Sequence, residues 1–289
     1  MGSCKIGSSH LFLLNNDMSR QYKSIQWVVQ QNLTNLNDLD ALQSACQDIG
    51  VKYLPVNIIP FTTGLPFFNR DLKSIFYGST TFNSLVAADD TINKGLFYHA
   101  AAFSMDNYFA KWGKHMLNFG AFVTSFDELM LQPYKNDTLL FIRPDDDTKS
   151  FSGEVKKFAA IREWYDKLEM SGSANLSMHS KIVVSEPYNI QYEWRLWIVN
   201  KKVITASKYR ECFKLMKERN CPADVVLFAE DRCREYTPHD VFVMDVCLCG
   251  DQYYIVECGC MNGAGFYNAD IHKIVTSVSA WFADRQVPQ

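Results

Sequence analysis

The sequence predicts an α+β protein in which a small α/β unit precedes a larger antiparallel half. Strand and helix signals alternate over residues 25–78, a pattern typical of a small parallel sheet. From residue 138 onward, strand signals follow one another and are joined by tight hairpin turns. A last stretch with one apolar face predicts a helix that closes the chain.

The composition fits a folded protein of about two domains in a reducing compartment. Of its 289 residues 47% are hydrophobic and 21% charged, and the net charge is -3. The apolar content excludes disorder as the main state, and near-neutrality argues against a nucleic-acid coat. Nine cysteines are too sparse for a disulfide scaffold, and no apolar run approaches the ~20 residues of a membrane span. We therefore expect a cytoplasmic protein without a membrane partner.

The first unit is expected to contain strands at residues 25–29, 51–59 and 74–77. Asn37 and Asp38 offer N-caps for a helix after the first strand, and Gly50 offers its C-cap. Over residues 97–132, large apolar side chains recur at roughly helical spacing, which predicts a buried helix. The residues of that pattern are Phe103, Tyr108, Phe109, Trp112, Met116 and Phe119.

The second half is expected to form antiparallel sheet. Asn200-Lys201 and Gly250-Asp251-Gln252 are tight hairpin connections between neighbouring strand signals. Residues 269–282 carry apolar side chains on one helical face and predict the final helix. The predicted strands of this half are residues 138–143, 181–185, 192–199, 203–209, 242–248 and 253–257.

The first polar cluster follows a strand that ends at Arg143. The sequence there runs from Arg143-Pro144 through three aspartates to Lys149-Ser150-Phe151-Ser152-Gly153. An arginine at a strand end, a lysine and small turn residues are groups that can cradle a phosphate. A solvated surface loop is the alternative interpretation.

The second cluster lies within one predicted strand. Alternation places Glu193, Arg195 and Trp197 on one face, so an acid and a base are neighbours there. The next strand adds Tyr209 and ends at Arg210. An exposed cross-strand ion pair of little energetic value is one interpretation, and a polar-lined cleft is the other. The apolar strands on both sides favour the cleft.

The third cluster is a hairpin that allows two kinds of metal site. A zinc site would use the four thiols of Cys247, Cys249, Cys258 and Cys260. A magnesium site would use the carboxylates of Asp245 and Glu257, with the oxygen of Asn262 nearby.

The register of this hairpin distinguishes the two sites. A three-residue loop at residues 250–252 pairs Asp245 directly with Glu257, and it turns the two later cysteines to the opposite face from the two earlier ones. Facing carboxylates repel each other unless a cation joins them, so this register favours Mg²⁺ over zinc. A two-residue loop would weaken the argument, and a purely structural hairpin is the remaining alternative.

Taken in chain order, these clusters resemble the ATP-grasp superfamily, and more closely its bacterial and phage clade marked by two arginines and one lysine. The resemblance extends from about Pro55 to Ser279 and rests on the ordered set of segments. It implies an α+β ATP-grasp fold, in which two α+β subdomains clasp ATP, preceded by a small α/β pre-ATP-grasp domain. The expected domains are residues 1–100 and 101–289, the latter with subdomains at about 101–185 and 186–289. The segments are Ile75-Phe76-Tyr77-Gly78-Ser79, Met116-Leu117-Asn118, Phe141-Ile142-Arg143-Pro144, Lys149-Ser150-Phe151-Ser152-Gly153, Val184-Ser185-Glu186-Pro187, Glu193-Trp194-Arg195, Ser207-Lys208-Tyr209-Arg210, Asp245, Glu257 and Gly265-Phe266-Tyr267.

The resemblance also implies a role for each site residue. Glu186 and Tyr188 would lie in a hinge that holds adenine through backbone groups, and Arg195 and Arg210 would be catalytic, neutralising the transferred phosphoryl group and an acyl-phosphate. The usual Glu-x-Asn motif is replaced by Glu257-Cys258-Gly259, which moves the third metal ligand to Asn262 or removes turnover. The implied nucleotide-binding residues are Arg143, Lys149, Glu186, Tyr188 and Glu193. The implied Mg²⁺ ligands are Asp245, Glu257 and Asn262.

The activity implied by the resemblance is ATP- and Mg²⁺-dependent carboxylate–amine ligation through an acyl-phosphate. The partners would be ATP, a carboxylate substrate and an amine acceptor, such as an amino acid or peptide joined to a protein or small molecule. Two alternatives remain open. Gly259 is compatible with a nucleotide-binding module without turnover, and the aromatic content of 14% is compatible with an interaction module.

Overall fold

The computed structural model describes residues 22–59, 62–145, 150–171 and 176–285. Within these residues, twelve strands form three sheets. The strands are β1 (Ile25–Gln30), β2 (Lys52–Val56), β3 (Lys73–Tyr77), β4 (Phe122–Ser125), β5 (Leu139–Pro144), β6 (Glu154–Lys157), β7 (Lys181–Ser185), β8 (Ile190–Val199), β9 (Lys202–Glu211), β10 (Lys214–Glu218), β11 (Val241–Cys249) and β12 (Gln252–Gly259). The α-helices are α1 (Leu36–Ile49), α2 (Thr80–Ala87), α3 (Met105–Trp112), α4 (Phe126–Met130), α5 (Phe158–Ser171), α6 (Ala223–Glu235) and α7 (Ile271–Asp284).

The first sheet is parallel, with the order β2-β1-β3. Helix α1 crosses from β1 to β2, which confirms the strand-helix-strand pattern of the sequence. The N-cap of α1 is Asn35, whose side chain accepts a hydrogen bond from the backbone N–H of Asn37. The predicted caps Asn37 and Asp38 therefore lie inside the first turn. Gly50 ends the helix with a φ of 74°, a left-handed conformation that favours glycine.

The other two sheets are antiparallel and face each other across a cavity. The four-stranded sheet has the order β4-β7-β5-β6, and the five-stranded sheet has the order β10-β9-β8-β11-β12. Residues 186–189 connect β7 of one sheet directly to β8 of the other. The fold therefore places a hinge beside the cavity.

One hydrophobic core joins the beginning of the described chain to its end. Helix α7 packs against α1, and Trp27 of β1, Trp197 of β8 and Trp281 of α7 are buried in the same cluster. The indole N–H of Trp27 donates a hydrogen bond to Ser279 Oγ over 2.9 Å. Because this core spans the parallel sheet and the five-stranded sheet, the domain boundary near residue 100 stays a prediction.

The long buried helix predicted for residues 97–132 is wrong in extent. Only α3 is α-helical in the first part of this stretch, and it ends at Gly113, which has a φ of 50°. The chain then continues through β4 and α4, and Phe119 is exposed. The helical spacing was misleading because Phe103 and Met116 reach the same core as α3 from outside that helix.

Five elements beyond residue 120 were not predicted, namely β4, β6, β10, α5 and α6. Strand β10 has the sequence Lys-Leu-Met-Lys-Glu and is largely exposed at the edge of its sheet, so no alternation of buried residues marks it. The six predicted strands are all present, as β5, β7, β8, β9, β11 and β12. Within the described ranges, no helix combines the length and apolar character needed to cross a bilayer.

Candidate functional site

The cavity between the two antiparallel sheets has a volume of about 420 Å³, a size common for clefts that bind small molecules. Side chains from both sheets and from the hinge line it. Its polar lining includes Asn118, Arg143, Glu154, Tyr188, Glu193, Arg195, Tyr209, Arg210, Asp245, Glu257 and Tyr267. Seven of the ten predicted site residues therefore meet in one cavity. The others are Glu186, Asn262 and Lys149, of which Lys149 lies outside the described residues.

Arg195 and Asp245 form a bidentate ion pair at the floor of the cavity. They are directly paired residues of β8 and β11, and Arg195 Nε and Nη2 each donate to one carboxylate oxygen over 2.8 Å. Only 9% and 3% of the two side chains are exposed. Burial alone would lower the pKa of Arg195, but the adjacent carboxylate raises that pKa well above its usual value. Arg195 is therefore a permanent cation committed to Asp245.

Glu193, Tyr209 and Arg210 form a second cluster next to this pair. Tyr209 Oη donates to Glu193 Oε2 over 2.7 Å and lies 3.2 Å from Asp245 Oδ2, while Arg210 Nη1 donates to Glu193 Oε1 over 2.8 Å. Burial raises the pKa of Glu193, although the tyrosine hydroxyl and the guanidinium both favour its ionised form. Burial and the two carboxylates raise the pKa of Tyr209 well above its usual value. The predicted acid–base pair is thus a buried cleft and not a surface ion pair.

Two shifts in strand register bring these side chains together. Glu193 pairs with Arg210 while Trp194 pairs with Lys208, so Tyr209 is an extra residue in β9. Asp245 pairs with Glu257 while Val246 pairs with Ile255, so Val256 is an extra residue in β12. A bulge of this kind lets consecutive residues turn toward one face. Both Tyr209 and Arg210 reach Glu193 for this reason.

The predicted pairing of Asp245 with Glu257 is confirmed, but the predicted loop is wrong. Cys249 pairs with Gln252, so the turn has two residues and not three. That turn alone would place Asp245 opposite Val256, and the bulge at Val256 restores the predicted partner. The compensation depends on backbone geometry that alternation does not encode.

The four cysteines of this hairpin do not converge. Cys258 pairs with Met244, and both side chains are buried in the core on the opposite face of the sheet from Asp245. Among the described residues, there is no group of three or more His, Cys, Asp or Glu side chains that could hold a metal ion, and no described cysteine forms a disulfide. The hairpin presents two carboxylates to the cavity.

Arg143 connects the two sheets across the cavity. It lies on β5 of the four-stranded sheet, and its Nη2 donates to Glu257 Oε2 on β12 over 2.6 Å. Gly153 packs against the same strand, where an added Cβ would lie 2.9 Å from the ring of Phe141 and 3.3 Å from Cβ of Arg143. Only glycine allows this close approach of the loop to Arg143.

Tyr267 completes the wall of the cavity in a strained backbone conformation. Its φ of 54° is rare for a bulky residue. Its ring stacks on Tyr209 with centroids 4.7 Å apart and an interplanar angle of 8°, and the Arg195 guanidinium lies 5.0 Å from its centroid. Stacking and cation–π contacts therefore stabilise a side-chain position that the backbone disfavours.

The hinge places its two predicted residues differently. Tyr188 lines the cavity, whereas the Glu186 side chain is exposed and its backbone carbonyl accepts a hydrogen bond from Ser185 Oγ over 3.0 Å. Ser185 Oγ also lies 3.3 Å from Asn118 Oδ1. A contact of Glu186 with a ligand would have to come from its backbone.

Asn262 serves the core and does not reach the cavity. Its amide nitrogen donates to the carbonyl oxygens of Phe76 and Gly95 over 2.6 and 2.8 Å, and its Oδ1 accepts from the Phe97 N–H over 2.7 Å. These bonds attach the end of β12 to the parallel sheet. The structure thus gives Asn262 a different task from the predicted metal ligand, because each polar atom of its amide already has backbone partners.

Sequence reasoning assigned no site role to Tyr209, Asn118 or Phe213, all of which line the cavity. Alternation alone places Tyr209 and Arg210 on opposite faces of β9, so a joint role was not visible. The unusual choice of phenylalanine in a two-residue turn is the signal that could have identified Phe213.

Comparisons with known proteins agree with this geometry. The chain shares 12% identity and a TM-score of 0.56 with a RimK domain ATP-grasp protein from Sphaerobacter thermophilus DSM 20745, over 90% of this chain and 98% of that one. D-alanine–D-alanine ligase from Bacillus anthracis gives 10% identity, a TM-score of 0.55 and coverages of 90% and 98%. A RiPP-associated ATP-grasp ligase from Chryseobacterium gregarium, in complex with ADP and a leader and core peptide, gives 12%, 0.51, 91% and 98%. No curated protein sequence matches the chain significantly.

These structural similarities establish the ATP-grasp fold. Residues 100–278 also match the sequence model of one family within that superfamily, and this stretch contains both antiparallel sheets and all described polar residues of the cavity lining. The chain therefore belongs to an ATP-grasp domain family, family 3 of the clade that is named for two arginines and one lysine.

Proposed function

We propose that this protein is an ATP- and Mg²⁺-dependent carboxylate–amine ligase. The observation that carries the proposal is the convergence of Arg143, Arg195 and Arg210 with the paired carboxylates of Asp245 and Glu257 in one cavity between two sheets. Cations and metal-binding carboxylates around one cleft are what phosphoryl transfer needs, because its catalysis is mainly positioning and charge stabilisation.

The residues of the cavity fit a magnesium ion carried by a nucleotide. Asp245 and Glu257 lie at directly facing positions of β11 and β12, and Mg²⁺ in nucleotide sites is held by one or two carboxylates together with phosphate oxygens. Asn262 is omitted from the proposed set for the reason given above. When bound, the ion would bridge phosphate oxygens and neutralise their charge.

Charge balance supports entry of the nucleotide together with its cation. The described lining contains the guanidinium groups of Arg143, Arg195 and Arg210 against four carboxylates, those of Glu154, Glu193, Asp245 and Glu257. Each of the three arginines is paired with a carboxylate. We infer that ATP without a divalent cation binds weakly, because the described lining carries no excess positive charge.

The side chains divide the proposed work by their exposure. Arg195 is buried and bidentate, so it holds the Asp245 carboxylate in place. Arg143 and Arg210 have guanidinium groups that can turn toward phosphate oxygens. Tyr188 and the backbone of the hinge would contact adenine, and Glu193 would orient Arg210. Lys149 keeps its proposed phosphate contact as a prediction from the sequence.

The proposed reaction has two steps. A carboxylate oxygen of the substrate attacks the γ-phosphorus of ATP, which forms an acyl-phosphate and releases ADP. An amine nitrogen then attacks the acyl carbon, the C–O bond to phosphate breaks, and inorganic phosphate and a proton leave. The similar solved structures include a D-alanine–D-alanine ligase and a ligase bound to a leader and core peptide, which supports amino acids or peptides as substrates.

Thermal unfolding tests nucleotide binding. A ligand at 100 times its Kd adds about 2.7 kcal/mol to the free energy of unfolding, which corresponds to a rise in Tm of roughly 5 °C or more. We expect this rise with ATP and Mg²⁺ together and a much smaller rise with ATP and EDTA. Asp245→Asn should reduce the Mg²⁺-dependent part, whereas Arg70→Gln, which alters an exposed ion pair in the parallel-sheet unit, should not. No rise with wild type would contradict the proposal.

A second candidate is a nucleotide-binding module without turnover. Gly259 replaces the amide of the usual Glu-x-Asn motif, and Asn262 is committed to the core, which together favour this candidate. ADP release over a panel of amino acids and peptides separates the two. Mg²⁺-dependent ATP binding without substrate-stimulated ADP release would favour the module, and stimulated release that Glu257→Gln abolishes would favour the ligase.

A further inference from the structure

Arg210 has donors left over after it pairs with Glu193. Only its Nη1 has a hydrogen-bond partner among the described residues, namely Glu193 Oε1. Its side chain is 44% exposed, whereas that of Arg195 is almost completely buried. Arg210 lines the cavity, so a planar pair of N–H groups is available there for a carboxylate or phosphate.

Tyr267 presents a second unused donor in the same part of the cavity. Its ring is fixed by stacking on Tyr209, and its hydroxyl has no hydrogen-bond partner in the described part of the chain. The Arg210 guanidinium in turn lies 5.6 Å from the centroid of the Tyr209 ring. The two donors are therefore held on opposite sides of one aromatic ring.

Phe213 adds an apolar surface to this region at the expense of its backbone. Cys212 and Phe213 form the two-residue turn between β9 and β10, with φ values of 44° and 65°. The other two-residue turns of this sheet begin with residues that favour such angles, Asn200 and Gly250. Phe213 is 62% exposed and lines the cavity. A bulky residue in this conformation that fills no core indicates a ligand contact.

We propose that Arg210, Tyr267 and Phe213 form the subsite for the acceptor carboxylate, and that this acceptor carries a large apolar or aromatic group close to the carboxylate. The inference rests on the proposed ligase function, since it names the substrate class of that same cavity. The carboxylate pairs with the unused edge of Arg210 and accepts from the Tyr267 hydroxyl. The apolar group covers the ring of Phe213, which aromatic contacts of this kind stabilise.

Binding of a small probe tests the subsite without a need for turnover. We would titrate 3-phenylpropanoate, propanoate and 3-phenylpropanamide into the full chain saturated with ADP and Mg²⁺, and follow binding by saturation-transfer NMR. We expect 3-phenylpropanoate to bind at least tenfold more tightly than either of the others, because propanoate lacks the ring and the amide lacks the charge. Saturation with ADP and Mg²⁺ is verified first by thermal shift, and absence of that shift would count against the proposed function itself.

Variants identify the residues responsible. Phe213→Gly should weaken binding of 3-phenylpropanoate about tenfold and should also raise Tm, because glycine relieves the strained turn. Leu215→Ala, an exposed apolar residue of β10 outside the cavity, should change neither quantity. Equal affinity for propanoate and 3-phenylpropanoate, no binding of the latter, or undiminished binding by Phe213→Gly would each overturn the subsite while ADP binding still upholds the ATP site.

Discussion

Replacement of Arg195 by methionine should destabilise the protein far more than replacement of an arginine in an exposed ion pair. Arg195→Met removes the guanidinium but keeps much of the apolar stem, so it leaves the Asp245 carboxylate buried without its bidentate partner. Removal of one partner from a buried pair typically lowers the free energy of unfolding by about 3–5 kcal/mol. The Tyr209 hydroxyl, 3.2 Å from Asp245 Oδ2, is already bonded to Glu193 and offsets little of this loss.

The exposed pair of Arg70 and Asp89 provides the matched control. Its side chains are 54% and 25% exposed, against 9% and 3% for Arg195 and Asp245. Pairs in such exposed positions contribute about 0.2–1 kcal/mol, so Arg70→Met should lower the free energy of unfolding by less than about 1 kcal/mol.

Urea unfolding followed by tryptophan fluorescence measures both effects. The double variant Arg195→Met/Asp245→Asn should be more stable than Arg195→Met alone, because it no longer buries an unpaired charge. The resulting coupling energy should be about 2 kcal/mol or more. A loss below about 1 kcal/mol for Arg195→Met, or simple additivity of the two changes, would refute the view that this pair is buried and mutually dependent.

Three further predictions concern single groups. Tyr209→Phe should lower the free energy of unfolding in urea by about 1–3 kcal/mol, because the buried Glu193 carboxylate loses a 2.7 Å donor; Tyr254→Phe, at an exposed hydroxyl, should change it by less than about 0.5 kcal/mol. Burial raises the pKa of Glu193, so its contribution to the free energy of unfolding is full below the ordinary glutamate pKa and is lost as pH rises through the raised value. Glu193→Gln should remove this dependence in urea titrations between those two values, and an unchanged profile would contradict it. Iodoacetamide should label the exposed Cys212 in the native protein and spare the buried Cys46, whose pKa is raised to about 12 by burial; mass spectrometry of peptides would reveal the reverse order if this is wrong.

Alternation of side chains was sufficient to predict one half of the site. The strand from Glu193 to Trp197 has one polar face, and the structure places Glu193 and Arg195 in the cavity while Trp194 and Leu196 pack in the core behind it. This succeeds because β8 is a regular central strand with neighbours on both sides, so period-2 geometry holds along it.

The other half depends on two bulges that the sequence does not reveal. Tyr209 and Val256 are ordinary strand residues by composition, and nothing in their neighbours marks them as unpaired. The pairing of Asp245 with Glu257 was predicted correctly only because a shorter turn and a bulge cancel each other. The position of Asn262 was missed for a related reason, since its partners lie in the parallel sheet and the segment after it, far away along the chain.

The ion pairs of the cavity suggest that ligand binding exchanges partners and does not fill vacant charges. Arg143 on one sheet is bonded to Glu257 on the other, so this pair holds the two sheets together across the site. A nucleotide with its cation can offer a phosphate to Arg143 and a metal to Glu257 at the same time, which keeps both charges compensated. Either component alone would leave one of them without its counter-charge in a partly buried cleft, which is unfavourable. The same geometry that closes the ligand-free cavity therefore makes its opening depend on ATP and Mg²⁺ together.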